Sequence, residues 1–151
     1  MDRKYLIDTE ENREFLAGIT ENLLAFGNKF PSPGGSSYYL GDDGTPWTDR
    51  NRETWITSRM THVYSIGSFL GHEGSKDLAA AGLKGLKGEL HDTVNGGWYA
   101  GLTADNEIVP NKQCYAHAFV ILAASSAVLA GIEGAKELLE NSGAFFKRLG
   151  C

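Results

Sequence analysis

Arg59 lies at the centre of the segment Trp55-Ile56-Thr57-Ser58-Arg59-Met60-Thr61-His62-Val63-Tyr64. Its planar guanidinium can donate paired hydrogen bonds to carboxylate, phosphate or hydroxyl oxygens. On a helix each residue turns by about 100°. With Arg59 set at zero, Trp55 falls about 40° and Ile66 about 20° to one side, and Val63 about 40° to the other. Met60 and Gly67 extend this face, while Thr54, Thr57, Thr61, Ser65 and Ser68 occupy the opposite one. The charge thus sits in an apolar stripe, where an unpartnered guanidinium is costly to bury. Two readings are open: a polar ligand, or an internal salt bridge or snorkelling edge residue. Arg52 lies on the same stripe, further toward the helix start.

Tyr115 is the second candidate. On its helix it aligns with Phe119, Leu122 and Ser126, and its hydroxyl could meet a ligand or, as a core tyrosine, the backbone. His117 falls nearly opposite, with Val120, Ala124 and Val128, and reads more readily as a packed core histidine than as a base. His62, His72 and His91 have no triad or metal spacing. Asp42-Asp43 and Asp105-Asn106 read as turn residues. There is no G-x-S-x-G, no Walker sequence and no G-x-G-x-x-G in strand context. The spaced glycines of 82–88 lie in an amphipathic helix and read as close packing. A glycoside hydrolase needs a carboxylate pair; the Arg59 face offers none, and Glu53 turns away by about 120°.

Five helices must position these residues. The first is expected from about Thr9 to Phe26, with Asp8 or Thr9 as N-cap, Phe15, Ile19, Leu23 and Phe26 as its stripe, and Gly27 as its end. Residues 28–50 form a loop carrying a short hairpin. Helix two is expected from about Asn51 to Leu70, and helix three from Ser75 to near His91 with Leu78, Gly82, Leu83, Leu86 and Leu90 on one face. A second hairpin spans 92–110, turning at Ala104-Asp105-Asn106-Glu107. Helix four covers about Asn111 to Ala130, and helix five begins near Gly134. Short glycine turns alternate with long decorated loops, the pattern of stacked αα-hairpins, with functional residues expected at the long-loop end.

Composition bounds the function. The 151 residues make one domain, with 42% hydrophobic and 22% charged residues. A net charge of −5 without a basic run disfavours nucleic acid and anionic membrane surfaces. Glycine, at 19 residues, is enriched for turns and close backbone contacts. Cys114 and Cys151 are too few for a disulfide framework, no zinc spacing exists, and the N-terminus lacks a signal-peptide core. These features favour a cytoplasmic setting. The uncharged stretch 115–132 reads as a helix buried in protein rather than a membrane span.

Three segments together carry a resemblance. Trp55 through Tyr64, then Asn95-Gly96-Gly97-Trp98-Tyr99, then Lys112-Gln113-Cys114-Tyr115-Ala116-His117-Ala118-Phe119 resemble the N-acylglucosamine 2-epimerase superfamily, nearest its mannose isomerase and sulfoquinovose isomerase branch. The segments come in family order and span nearly the whole chain. The resemblance implies an all-α fold, an incomplete (α/α)6 barrel over 1–151, and proton transfer at C2 of a monosaccharide through an enediol-type intermediate. It implies no metal and no other cofactor. It places Arg59, Tyr115 and Trp55 at the sugar as substrate-binding residues.

Family members are more than twice this length, and the family's acid/base histidines have no match here. The chain therefore reads as an N-terminal fragment that is inactive alone and carries no catalytic residue of its own. A non-catalytic helical sugar-binding or interaction module is the competing reading. Two structural expectations follow. Arg59, Trp55 and Tyr115 should face one cavity near the long-loop end. Apolar faces on helices two, four and five should stay exposed and favour self-association.

Overall fold

A computed structural model describes residues 2–149. After a single 3-10 turn at Arg3–Tyr5 come five helices: α1 (Glu10–Gly27), α2 (Thr54–Phe69), α3 (Ser75–Lys87), α4 (Cys114–Leu129) and α5 (Ala135–Leu149). Thr9 caps α1, its hydroxyl accepting the Asn12 N–H at 3.2 Å, and Glu10 and Glu11 occupy the first turn. The α2–α3 and α4–α5 connections repeat one turn. Gly71 and Gly74 in the first, and Gly131 and Gly134 in the second, hold φ between 65° and 78°, a region that favours glycine. Gly18, inside α1, has open space around its Cα and no such role.

The long connections carry two small sheets. Strands β1 (Tyr39–Leu40) and β2 (Pro46–Trp47) pair antiparallel around the Asp42-Asp43 turn, where Asp43 accepts the Thr45 N–H and hydroxyl, each at 2.9 Å. Strands β3 (Arg52–Glu53), β4 (Gly101–Leu102) and β5 (Ile108–Val109) form an antiparallel sheet in that order. Both expected hairpins are present, but β3 was not expected. Pairing with β4 keeps Arg52 and Glu53 extended, so α2 starts at Thr54 rather than Asn51. Likewise α3 ends at Lys87 rather than near His91, which pairs with Trp98 as an isolated bridge.

Helix α2 packs between α3 and α4, and α4 also packs on α5. The buried side of α2 is its hydroxyl side, and its apolar stripe stays exposed, as expected for helix two. Thr54, Thr57, Ser58, Thr61 and Ser65 are fully buried. The last four donate to the carbonyls of Glu53, Thr54, Thr57 and Thr61 at 2.7–2.9 Å. A hydroxyl satisfied within its own helix costs little to bury, and its small volume lets neighbouring helices approach closely. A Cβ on Gly82 of α3 would lie 2.2 Å from Thr61 Oγ1, and one on Gly85 would lie 2.5 Å from the Gly35 carbonyl carbon. Gly82 and Gly85 thus serve close packing, whereas Gly88 ends the helix.

The core joins Phe30 stacked on Tyr64, Leu83, Leu86, Leu90, Trp98, Val120, Leu138 and Phe145. Its polar atoms are satisfied: Tyr64 OH donates to the Leu24 carbonyl at 2.7 Å and Trp98 Nε1 to that of Leu86 at 2.6 Å. Leu23 and Phe26 of α1, Val63 and Ile66 of α2, and Leu122 and Leu129 of α4 remain exposed. On α5, Leu138 and Phe145 are buried instead. Cys114 is disulfide-bonded. No helix among the described residues is long and apolar enough to cross a membrane.

Candidate functional site

Helices α2 and α4 lie side by side with their first turns at the long-loop end, and this brings the three sequence candidates together. The rings of Trp55 and Tyr115 sit 5.9 Å apart, centre to centre, and Tyr115 meets Phe119 edge-on at 4.9 Å. The Arg59 guanidinium carbon lies 5.6 Å from the Trp55 ring centre and 5.5 Å from that of Phe119. The cation is thus held between two aromatic rings, an attractive arrangement in which an Arg plane can stack. It pairs with no carboxylate among the described residues.

This cluster is an open face, not the expected cavity. Arg59 is exposed and Tyr115 is 56% exposed. Arg59 therefore carries no burial penalty, and neither an internal salt bridge nor a bound ligand is needed to explain it. Val63, Ile66 and Leu122 continue the face as exposed apolar residues. A cation flanked by rings, with a free phenol beside it, can stack on a sugar ring and donate to its hydroxyls. None of these residues is a carboxylate or a histidine.

The histidines are occupied elsewhere. His117 is buried in the core: Nδ1 donates to the Gln113 carbonyl at 2.8 Å and Nε2 accepts the Trp98 N–H at 3.0 Å. Burial pushes its pKa down. His62 is half-buried, hydrogen-bonded through Nδ1 to Ser126 Oγ at 2.6 Å across the α2–α4 contact, and burial lowers its pKa too. His72 bonds to Ser75 in the short turn. His91 lies beside Trp98, its pKa again lowered by burial.

Residues that the sequence reading passed over hold the face in place. Asp92 accepts the backbone N–H groups of Val94 and Asn95 at 3.0 and 2.9 Å, and Lys112 Nζ at 2.7 Å. The Asn95 amide first, then the Lys112 ammonium, hold its carboxyl well below the usual carboxylate range. Lys112 also donates to the Gly96 carbonyl. Asp92, Lys112 and His117 together tie the 95–98 turn to the start of α4, two residues from Tyr115. The signal was the Asn-Gly-Gly turn beside a helix start, but pairings across 16 to 20 residues have no local pattern. Tyr39 OH donates to Glu53, and burial first, then this bond, raises the tyrosine pKa to about 12.

Residues 34–149 match the family model described as N-acylglucosamine 2-epimerase (GlcNAc 2-epimerase). A D-mannose isomerase of Thermobifida fusca is 35% identical over 91% of this chain and 34% of its own length. One from Pseudomonas cannabina pv. alisalensis is 40% identical over 68% of this chain and 24% of its own. The chain thus spans about a third or less of these relatives. Among solved structures, a D-mannose isomerase covers 93% of the chain with a TM-score of 0.78 at 23% identity. Cellobiose 2-epimerase from Spirochaeta thermophila covers 93% with a TM-score of 0.70 at 18% identity. The stacked hairpins α2–α3 and α4–α5 are accordingly part of an (α/α)6 barrel, with α2 and α4 side by side and α3 and α5 each packed against a neighbour. On the match over 34–149, the chain belongs to the N-acylglucosamine 2-epimerase family of sugar epimerases and isomerases.

Proposed function

We propose that the complete protein to which this fold belongs is a sugar isomerase or epimerase acting at C2 of a monosaccharide, with the Trp55–Arg59–Tyr115 face as one wall of its sugar site. The observation that carries this reading is the guanidinium held between Trp55 and Phe119 beside the exposed Tyr115. In a chain whose relatives include D-mannose isomerases, that arrangement suits sugar hydroxyls. Arg59 donates paired hydrogen bonds to adjacent oxygens, Tyr115 contributes a hydroxyl, and Trp55 offers an apolar ring surface. Proton removal at C2 and return at C1 gives the ketose, and return at C2 gives the epimer; both need a base within hydrogen-bond reach.

The 151-residue chain alone binds sugar weakly and does not turn it over. His62 is hydrogen-bonded to Ser126, His91 lies beside Trp98, His117 is bonded to the Trp98 N–H in the core, and His72 sits at the short-turn end. A missing acid/base group costs about 10²–10⁴-fold in rate. The test is incubation with mannose, fructose and N-acetylglucosamine in deuterated water, following exchange at C2 of the two aldoses and at C1 of fructose. Exchange at the buffer rate is expected; faster exchange would refute the claim of inactivity. Saturation-transfer NMR with mannose reads binding separately, and contact that survives removal of both Arg59 and Tyr115 would refute the assigned face.

A further inference from the structure

We propose that a second cleft, around Arg52, is a saccharide-binding subsite distinct from the Arg59 face. The cleft has a volume of about 350 Å³, within the size range of small-molecule sites. Ser32, Tyr38, Thr48, Arg52, Glu89 and Asn106 line it, and none of them belongs to the Arg59 face. Arg52 is 4% exposed yet pairs with no carboxylate among the described residues. Its Nε donates to Ser36 Oγ at 2.8 Å and its Nη2 to Asn106 Oδ1, both neutral acceptors. The guanidinium also lies over the Tyr38 ring, 5.6 Å from its centre. Nη1 has no hydrogen-bond partner among the described residues, yet no described side-chain nitrogen is both buried and unbonded. Its donor edge therefore opens to the cleft.

The rest of the cleft is fixed in advance. Ser36 is the hub: its N–H donates to Glu89 Oε1 at 2.9 Å, and its hydroxyl bonds that of Ser32 at 3.1 Å. Asn106 holds φ 66° in the turn between β4 and β5, which presents its amide to Arg52. A buried cation with no direct ion pair favours an oxygen-rich ligand. The Glu89 carboxylate in the same cleft opposes phosphate or sulfonate. A neutral polyol satisfies both, accepting from Arg52 and donating to Glu89 and Asn106. This subsite deepens the proposed sugar chemistry and depends on it only for the choice of probe.

The test is a titration of the ¹⁵N-labelled 151-residue chain with D-mannose, read by amide shifts. Saturable shifts at Gly34, Ser36 and Asn106 are expected, retained in Arg59→Ala. Thr48→Trp fills the exposed rim without touching the hydrogen-bond network and should weaken binding about tenfold. Glu89→Gln, which keeps an acceptor for Ser36 but removes the charge, should weaken it as well. Shifts confined to Trp55 and Tyr115 and lost in Arg59→Ala would overturn the subsite and leave the Arg59 reading standing. Shifts confined to the cleft would do the reverse, and no shift at either place would overturn both.

Discussion

The imidazole of His117 accepts the backbone N–H of Trp98 at 3.0 Å while its other nitrogen donates to the Gln113 carbonyl at 2.8 Å. One side chain thereby fixes its own tautomer and joins the 95–98 turn to the first turn of α4. Stacking on Phe145, with ring centres 5.0 Å apart, closes the arrangement from the α5 side. Only neutral histidine can accept at one nitrogen and donate at the other.

This relationship makes stability depend on pH. Burial holds the folded pKa of His117 below the unfolded value of about 6.5. The unfolded chain then binds more protons, so the contribution is complete above about pH 6.5 and is lost as pH falls toward the folded value. Lys112 acts in the same direction as burial, and Asp92 and Arg148 are the other charges near this node. His62 and His91 shift the same way, so the test is a difference between variants. A glutamine at 117 can still accept and donate but does not titrate. His117→Gln should flatten the melting temperature between pH 7 and 5 relative to wild type. His117→Ala should cost about 1–3 kcal/mol at pH 7 by leaving the Trp98 N–H unpaired, and less as the pH falls. An unchanged slope in His117→Gln would remove His117 from this role.

Gly97 is the tightest point of the same node. It holds φ 77°, and a Cβ there would lie 2.3 Å from the Phe145 ring and 2.8 Å from His117 Nε2. Gly97→Ala therefore meets backbone strain and overpacking together, and should destabilise by about 2–4 kcal/mol. Gly18→Ala, with open space around it inside α1, should be neutral or stabilising. Denaturant melts of the two variants separate a positional effect from a general intolerance of substitution.

Local signals made most of the fold legible in the sequence. Glycine turns marked the hairpin ends, the Asp42-Asp43 and Asp105-Asn106 turns marked the strands, and apolar spacing marked α3. The exposure of the α2 stripe was legible only through the family resemblance, because hydrophobic periodicity alone sets an apolar stripe against the core. In α2 the serines and threonines satisfy their hydroxyls on the preceding turn and pack against the glycines of α3, while the apolar stripe faces outward. The grouping of Arg59, Trp55 and Tyr115 came from the family resemblance, since nothing local links residue 59 to residue 115. Arg52 was noted only as a stripe position. Its partners Ser36 and Asn106 lie 16 and 54 residues away, beyond any local pattern.

The outward faces of α2 and α4 should make the isolated chain associate. Val63, Ile66 and Leu122 are each close to 40% exposed and Leu129 is 75% exposed. Contiguous apolar surface of this kind promotes contact between copies. Sedimentation velocity should show weight-average mass rising with concentration. The double variant Ile66→Lys and Leu129→Lys should reduce that rise without lowering the melting temperature, since neither side chain is buried. A monomer at all concentrations would show that the face is tolerated in water.

Arg59 supplies the last prediction, and it turns on shape more than charge. Its guanidinium carbon stands 5.6 Å from Trp55 and 5.5 Å from Phe119, so the group is oriented by rings on two helices. A plane held in that way can offer two parallel N–H donors to neighbouring sugar oxygens. Lysine keeps the charge but presents a compact, strongly hydrated ammonium with no plane to stack and no paired donors. Hydrogen bonds involving a charged group contribute about 1.5–3 kcal/mol, so Arg59→Ala should weaken mannose binding roughly tenfold or more. Arg59→Lys should lose nearly as much. Because Arg59 is exposed and makes no salt bridge among the described residues, both variants should melt within a few degrees of wild type. Saturation-transfer intensities and melting curves on the same samples separate binding from folding. A lysine variant that binds within twofold of wild type would show that positive charge alone suffices, and the paired-donor role would be abandoned.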